Sequence, residues 1–264
     1  MRGRCSLVNL TCKRQEIKMK ITSIDPKNVK LVAFDLDGTL TQHKSKLAEN
    51  SKNMLDALSK KYKLLMVGAG ACRRIFNQMD GYPIDIIGNY GLQYAEYNNE
   101  TGDIDIVAEH VLPCDRDSVT ERVEGIRQKY GFTEYYGDTV EFHASGAVTI
   151  PIIGTKAPID EKLAFDPDRS KRRKIYAEVC DIFSEYTVFV GGSSSFDMVP
   201  APYDKYYALD LYCKEHGLTH DNVVYCGDDY GSGGNDEAVF KSDFPFVCVD
   251  NFEKVHEALA FLLK

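Results

Sequence analysis

Apolar and polar positions switch between two periods along this chain, and the switch points mark its elements. Residues 29–36, Val-Lys-Leu-Val-Ala-Phe-Asp-Leu, form a β-branched and apolar run that ends in a turn at Gly38. Its length and composition predict a buried parallel strand. Leu47, Ser51, Met54, Leu55 and Leu58 recur at helical spacing, which predicts an amphipathic helix over 46–61. Residues 63–67 read as a second buried strand closed by Gly68 and Gly70, followed by a helix over 71–79 and a short strand over 84–87. This strand–helix alternation predicts a right-handed, Rossmann-like parallel α/β sheet.

The pattern changes after Pro113. A charged helix is predicted over 115–130, then strand-like runs over 139–143 and 147–153 joined by a short turn containing Gly146. A second charged helix over 168–185 precedes strands over 186–190 and 195–199. Paired strands with helices on one side predict an α+β insert at 111–200. The first pattern then returns, with a helix over 204–216, strands over 222–226 and 244–249, and a final helix over 252–263. The expected organisation is a discontinuous core, 29–110 and 201–264, wrapped around an inserted cap, with 1–28 as an N-terminal extension.

Composition narrows the class. A chain of 264 residues that is 44% apolar and 27% charged is globular. Its apolar runs are far shorter than the ~20 residues a membrane helix needs, so no membrane partner is expected. A net charge of −8 argues against a nucleic-acid partner. The charge is uneven, since eight Lys/Arg stand against Glu16 and Asp25 in residues 1–30. The stretch lacks the apolar segment of a signal peptide, and reads as a floppy tail, a targeting arm, or an extension ahead of a start at Met19. The eight cysteines form no CxxC and no zinc spacing, which predicts reduced thiols in a cytoplasmic protein.

The candidate chemistry lies just past predicted strand ends, where open parallel sheets bind ligands. Asp35 and Asp37 follow the first strand as Asp-Leu-Asp-Gly-Thr, Asp228 and Asp229 follow a late strand, and Lys205 opens a helix after the insert. This set fits phosphoryl transfer through an aspartyl phosphate. A carboxylate nucleophile would be repelled by an anionic phosphate unless a divalent cation and a lysine neutralised the charge. Two carboxylates, phosphate oxygens and waters make an ordinary oxygen-rich Mg²⁺ shell. A second Asp two residues on can serve as general acid, then base. Gly38 lets the turn aim backbone N–H groups at the phosphate, and Thr39 adds a hydroxyl. Taken singly, each feature has a plainer reading: an acidic turn, a solvated lysine, or a Ca²⁺-like loop at 228–229. The run 168–174, Asp-Arg-Ser-Lys-Arg-Arg-Lys, reads as a solvated helix face. His43 reads as surface, and Arg73 and Arg74 as candidates for the phosphate entrance.

The order of DLDGT at 35–39, Lys205, and GDD through GGND at 227–236 resembles the haloacid dehalogenase superfamily. Within it, the chain is similar to the type IIB-capped members, the group of Cof-type sugar phosphatases and eukaryotic phosphomannomutases. Ser195-Phe196-Asp197-Met198-Val199-Pro200 with Tyr203-Asp204-Lys205 carries the phosphomannomutase likeness, as do Val140-Glu141-Phe142 and Ile153-Gly154. The resemblance implies a parallel-sheet core with an α+β cap. It implies Asp35 as nucleophile and metal ligand, and Asp37 as acid/base with its backbone carbonyl on the metal. Lys205 would bridge nucleophile and phosphate, Asp228 would bind the metal, and Asp236 would support the metal site. Ser195 and Asp197 would touch sugar hydroxyls, and a cap-mediated homodimer is an open option.

Two departures from the family pattern matter. The second motif, Val67-Gly68-Ala69-Gly70-Ala71, lacks the usual Ser or Thr hydroxyl. The arginines that grip the distal phosphate of a hexose bisphosphate in the mutases are replaced by His143-Ala144 and Thr155, with Lys162 at a third Arg position. A mutase must hold phosphate at either end of the sugar, whereas a phosphatase must hold one. The sequence reading is therefore a Mg²⁺-dependent phosphatase of a small hexose phosphate. Phosphomannomutase is the alternative, and a catalytically weak sugar-phosphate binder the third option.

Overall fold

The structure, a computed structural model, describes Met19–Lys20 and residues 24–264. The readings of the arm at 1–18 lie outside the described residues. Strand β2 (Leu31–Phe34) is buried on both faces, so its apolar residues feed two cores in alternation. Val32 and Phe34 face one helical layer, Leu31 and Ala33 the other. β2 pairs in parallel with β3 (Lys63–Val67) on one side and β11 (Val223–Gly227) on the other. β4 (Asp85–Gly88) and β12 (Phe246–Cys248) extend the parallel sheet outward.

The edges are antiparallel. β1 (Met19–Lys20) pairs with β12, and a hairpin of β5 (Gln93–Asn98) and β6 (Asp103–Glu109) continues beyond β4. The full order is β1-β12-β11-β2-β3-β4-β5-β6. One face is covered by α1 (Glu49–Leu58) through Met54, Leu55 and Leu58, and by α2 (Cys72–Gln78) through Ile75 and Phe76. The other face is covered by α6 (Lys205–Glu215) through Ala208, Leu209, Tyr212 and Cys213. None of the helices of the described residues is long and apolar enough to cross a membrane.

A second, four-stranded antiparallel sheet has the order β7-β8-β10-β9, where β7 is Glu141–Phe142, β8 Val148–Pro151, β9 Tyr186–Phe189 and β10 Ser195–Pro200. α3 (Arg116–Tyr130) and α5 (Ser170–Ile182) pack on it through Val119, Val123, Ile126, Ile175 and Val179. Asp115 caps α3 by accepting the Ser118 N–H, and Gly131 ends it in the left-handed region at φ +71°. Along β10, Phe196 and Met198 enter this core. The strand's two-residue period turns Asp197 to the opposite face.

The sequence pattern missed three features. The β5–β6 hairpin is an exposed edge with charged and aromatic residues rather than an apolar run. α4 (Ile159–Phe165) buries none of its residues, and α7 (Glu237–Lys241) is too short to show a period. The expected final helix is broken into two 3₁₀ turns around α8 (Val255–Ala258).

The run 168–174 is solvated at Asp168, Ser170, Lys171, Arg173 and Lys174, as the sequence reading expects, and departs from it at Arg169 and Arg172. Arg172 is fully buried and pairs with the equally buried Asp166 at 2.9 Å. Asp166 also accepts the backbone N–H groups of Lys171 and Arg172. The Arg172 guanidinium donates to the carbonyls of Gly191, Ser193 and Ser195, so a buried cation clamps the loop that leads into β10. Removing one partner of such a pair strands a charge in the interior. Asp166→Ala should destabilise the protein by about 3–5 kcal/mol, read as a lower urea midpoint. A loss under about 1 kcal/mol, the scale of an exposed pair, would show that the clamp is not structural.

Candidate active site

The parallel register brings two acidic positions out of the sheet side by side. Phe34 pairs with Cys226 in register, and the next amide, Asp35 N–H, donates to the Cys226 carbonyl at 2.9 Å. Asp35 thus leaves β2 beside Asp228, which follows the end of β11. Lys205 enters from the first turn of α6, fixed by Asp204 as N-cap, whose carboxylate accepts the Tyr207 N–H at 2.6 Å. The Lys205 side chain is fully buried. Its ammonium donates to Asp35 at 2.6 Å, Asn235 at 2.7 Å and Asp236 at 2.8 Å, which uses all three of its hydrogens. Asp236 also accepts the Tyr225 hydroxyl at 2.6 Å and the Asp229 N–H at 3.0 Å.

One ammonium does not balance the carboxylates gathered here. Burial, reinforced by Asp236 and Asp228 against the pull of Lys205, pushes Asp35 well above the usual carboxylate range. Burial and the neighbouring Asp236 raise Asp228 to about 6. Burial opposes the charge on Lys205, but Asp236 and Asp35 outweigh it and hold the group protonated. Carboxylate oxygens of Asp35, Asp228 and Asp236 lie within 4.8 Å of one another. All-oxygen donors, clustered and short of positive charge, fit a hard divalent cation such as Mg²⁺. Asp35 and Asp228 would hold it. Asp236, already bonded to three donors, shapes the site.

The DLDGT turn depends on its glycine. Gly38 has φ +96°, and a Cβ there would sit 2.3 Å from an Asp228 oxygen. Thr39 is buried and its hydroxyl donates to Asp228 at 3.0 Å. That bond orients the Asp228 carboxylate from the same turn. The side chain of Asp37 stands outside the three-carboxylate cluster. It accepts the Lys44 N–H at 2.8 Å and the Gln78 amide at 2.7 Å, with the Arg74 guanidinium 3.6 Å away.

A cavity of about 600 Å³ lies between these strand ends and the second sheet. Asp35, Asp37, Gln78, Asp228 and Asn235 line it from the parallel sheet, and His43 and Lys44 from the loop after β2. Tyr90, just past β4, adds to the same side, and Arg169, Phe189, Gly191 and Asp197 complete the opposite one. Burial raises the Asp197 carboxyl above its usual range, and the Thr149 hydroxyl, His143 and Arg172 moderate the shift.

Three of the candidate residues are bonded within the protein. Lys162 does not line the cavity, since its ammonium donates to the Thr155 carbonyl at 2.9 Å. Ser195 donates to the Gly191 carbonyl at 3.2 Å and lies outside the lining. Arg73 pairs with Asp103 instead of facing the entrance, whereas Arg74 does line the cavity. His143 and Thr155 are engaged with Thr149 and the Asp138 N–H, each at 3.0 Å.

Sequence reasoning also missed the contacts that close the cavity. Arg169 pairs with Asp229 at 2.5 Å, Arg173 donates to the Ser232 carbonyl at 3.1 Å, and Val190 N–H to the Gly233 carbonyl at 2.8 Å. Tyr90 stacks on Phe189 with ring centroids 4.5 Å apart. The Gln78 contact with Asp37 had no sequence signal, because a polar residue at a helix end is usually solvated.

Comparison with known proteins places this arrangement. The family model of eukaryotic phosphomannomutase matches residues 131–250. The phosphomannomutase of Encephalitozoon cuniculi is 27% identical over 244 residues, covering 86% of this chain and 92% of that protein. That of Schizosaccharomyces pombe is 27% identical, covering 80% of this chain and 84% of that protein. Human phosphomannomutase 1 is 25% identical, covering 80% and 82%. In fold, the chain is similar to Plasmodium falciparum IMP-nucleotidase, with a TM-score of 0.64 at 16% identity, covering 90% of this chain and 71% of that one. A phosphatase of the haloacid dehalogenase superfamily from Bacteroides thetaiotaomicron gives 0.59 at 15% identity, covering 89% and 95%.

The carboxylate cluster makes a direct prediction. Millimolar Mg²⁺ should raise the melting temperature of the protein, and Asp228→Asn should remove most of that shift while leaving the fold intact by circular dichroism. An equal Mg²⁺ shift in wild type and Asp228→Asn would place the cation elsewhere.

Proposed function

We propose, on the premise that this chain is a haloacid dehalogenase superfamily member of phosphomannomutase-like character, that it moves a phosphoryl group on a hexose phosphate through an aspartyl phosphate on Asp35. The observation that carries the reading is the cluster of Asp35, Lys205, Asp228 and Asp236, two of whose carboxylates, Asp35 and Asp228, line the cavity. In this reading residues 111–200 act as a cap over a core of 29–110 and 201–264.

The steps follow from the residues. The Asp35 carboxylate attacks phosphorus, and the bond to the leaving oxygen breaks. Lys205 stays charged and offsets the negative charge that gathers on Asp35 and the phosphoryl oxygens. Mg²⁺, when bound, supplies Lewis-acid charge neutralisation at the same oxygens. Asp37, on the cavity wall two residues from the nucleophile, donates a proton to the leaving hydroxyl. It then takes one from the next acceptor. Asp197 offers the sugar hydroxyls a carboxylate from the cap side.

The acceptor distinguishes two reactions. In the phosphomannomutase type, a second hydroxyl of the sugar accepts the phosphoryl group and the chain is an isomerase. The relatives named above support this reading, because they are phosphomannomutases aligned over most of both chains. The contacts through Arg169, Arg173 and Val190 also hold the second sheet beside the cavity, where it would limit access of water to the acyl phosphate. In the second reading water is the acceptor and the chain is a phosphatase. One observation favours it: His143, Thr155 and Lys162, which stand where mutase arginines are expected, are bonded to other groups of the cap.

Two measurements test the proposal. Asp35→Asn should lower turnover on the order of 10⁴-fold or more while retaining the fold; activity near wild type would remove Asp35 as nucleophile. With hexose 1-phosphate, Mg²⁺ and catalytic hexose bisphosphate, ³¹P NMR should show the 6-phosphate forming faster than inorganic phosphate. The reverse order establishes hydrolysis in its place.

A further inference from the structure

In the phosphoryl-transfer reading, two side chains expected at the phosphate oxygens are already bonded to other groups. All three hydrogens of Lys205 are committed to Asp35, Asn235 and Asp236, and the Thr39 hydroxyl is committed to Asp228. The loop after β3, residues 68–71, carries no hydroxyl. Yet β3 neighbours β2 in parallel, so this loop borders the end of β2 from which Asp35 emerges, and Gly68 and Ala69 line the cavity.

Gly70 is the informative position. Its φ does not fall in the left-handed region, so the backbone does not demand glycine there. Space does. A Cβ on residue 70 would lie 2.1 Å from Nη2, 2.2 Å from Nε and 2.5 Å from Cζ of Arg74. The guanidinium of Arg74 occupies the volume that a side chain at position 70 would fill.

Arg74 is held there in part. Its Nη1 donates to the Gln78 side-chain oxygen at 2.8 Å, and the same Gln78 donates through its amide to Asp37. Among the described residues, Nε and Nη2 have no protein acceptor within hydrogen-bond distance. These two N–H groups form the planar fork that meets two phosphate oxygens at once. The side chain is about half exposed on the cavity wall, 3.6 Å from Asp37. Lys46, another cation on this wall, is paired with Asp80.

We propose that Arg74 grips the transferring phosphate, its guanidinium taking the place of the absent second-motif hydroxyl, and that Gly70 is glycine to admit it. The inference rests on the phosphoryl-transfer reading. It assigns the phosphate contact to a charged fork reaching back from α2 rather than to the loop. Gln78 then positions two groups together, Arg74 through its oxygen and Asp37 through its amide.

The test is a four-variant cycle of wild type, Arg74→Ala, Gly70→Ser and the double variant, with Arg74→Lys as the conservative control. For each, KM and kcat for hexose 1-phosphate, the inhibition constant of inorganic phosphate and the melting temperature are measured. Arg74→Ala should raise KM and the phosphate inhibition constant on the order of 10- to 100-fold, with little change in melting temperature. Arg74→Lys should recover only part of the loss, because an ammonium lacks the fork. Gly70→Ser alone should impair phosphate binding by displacing the guanidinium. In the Arg74→Ala background the same substitution should improve it, since the space is then open and a hydroxyl is supplied. That reversal of sign is a coupling that a purely structural role would not produce. Wild-type KM and phosphate inhibition in Arg74→Ala would overturn the inference, as would a double variant worse than either single one. A wild-type protein inert toward every hexose phosphate would instead overturn the catalytic reading. Calorimetry with inorganic phosphate on wild type and Arg74→Ala then judges the grip by itself, a loss of binding upholding it and equal binding sinking it.

Discussion

The ammonium of Lys205, buried with two carboxylates and an amide, is the interaction around which the molecule is organised. Placing an unpaired ammonium in the interior costs several kcal/mol, and only well-aimed partners offset it. Those partners come from two parts of the chain distant from Lys205 at the start of α6: Asp35 just past β2, and Asn235 with Asp236 ahead of α7. The central position of β2 in the sheet makes their convergence possible. The cluster still carries more carboxylates than it can neutralise, which is why Asp35 and Asp228 are held above their ordinary range. Such a site is unfavourable alone and favourable toward a hard cation.

The second sheet meets this cluster through a different economy of charge. Arg172 spends its guanidinium inside the smaller unit, bracing the loop 191–195, while Arg169, three residues earlier, reaches across to Asp229. One basic run thus does both tasks, internal bracing and closure. Arg169 has φ +60°, a left-handed conformation uncommon outside glycine, and the ion pair is what this backbone presents to the core.

The parts of this arrangement that the sequence made legible are those set by local pattern. The strands leading to Asp35 and Asp228 are apolar runs closed by glycine turns, and parallel pairing puts their ends together whatever the side chains elsewhere. Lys205 was legible for its place at a helix start after the insert. The illegible parts depend on pairings distant in sequence. Arg169 and Asp229 are 60 residues apart, and nothing in Asp-Arg-Ser-Lys-Arg-Arg-Lys separates the arginine that crosses to the core from the one that is buried. Thr39 is expected at a phosphate from its position in DLDGT, while its hydrogen bond to Asp228, 189 residues away, has no local sequence signal. Lys162 and Ser195 are expected in the site from family likeness, and their bonds to the Thr155 and Gly191 carbonyls have no signal in the sequence. The β5–β6 hairpin escaped notice because an exposed edge strand needs no apolar run.

The loop from Asp228 to Asp236 has two clients. One end orients the carboxylates of the cluster; the middle, through Asp229, Ser232 and Gly233, receives Arg169, Arg173 and Val190 from the second sheet. Asp236 ties the two together, since it accepts both the Lys205 ammonium and the Asp229 N–H. Thermodynamic reciprocity then applies: by whatever factor an ion at Asp228 favours docking of the second sheet, docking favours the ion by the same factor. The two effects would be read from opposite ends of a nine-residue loop.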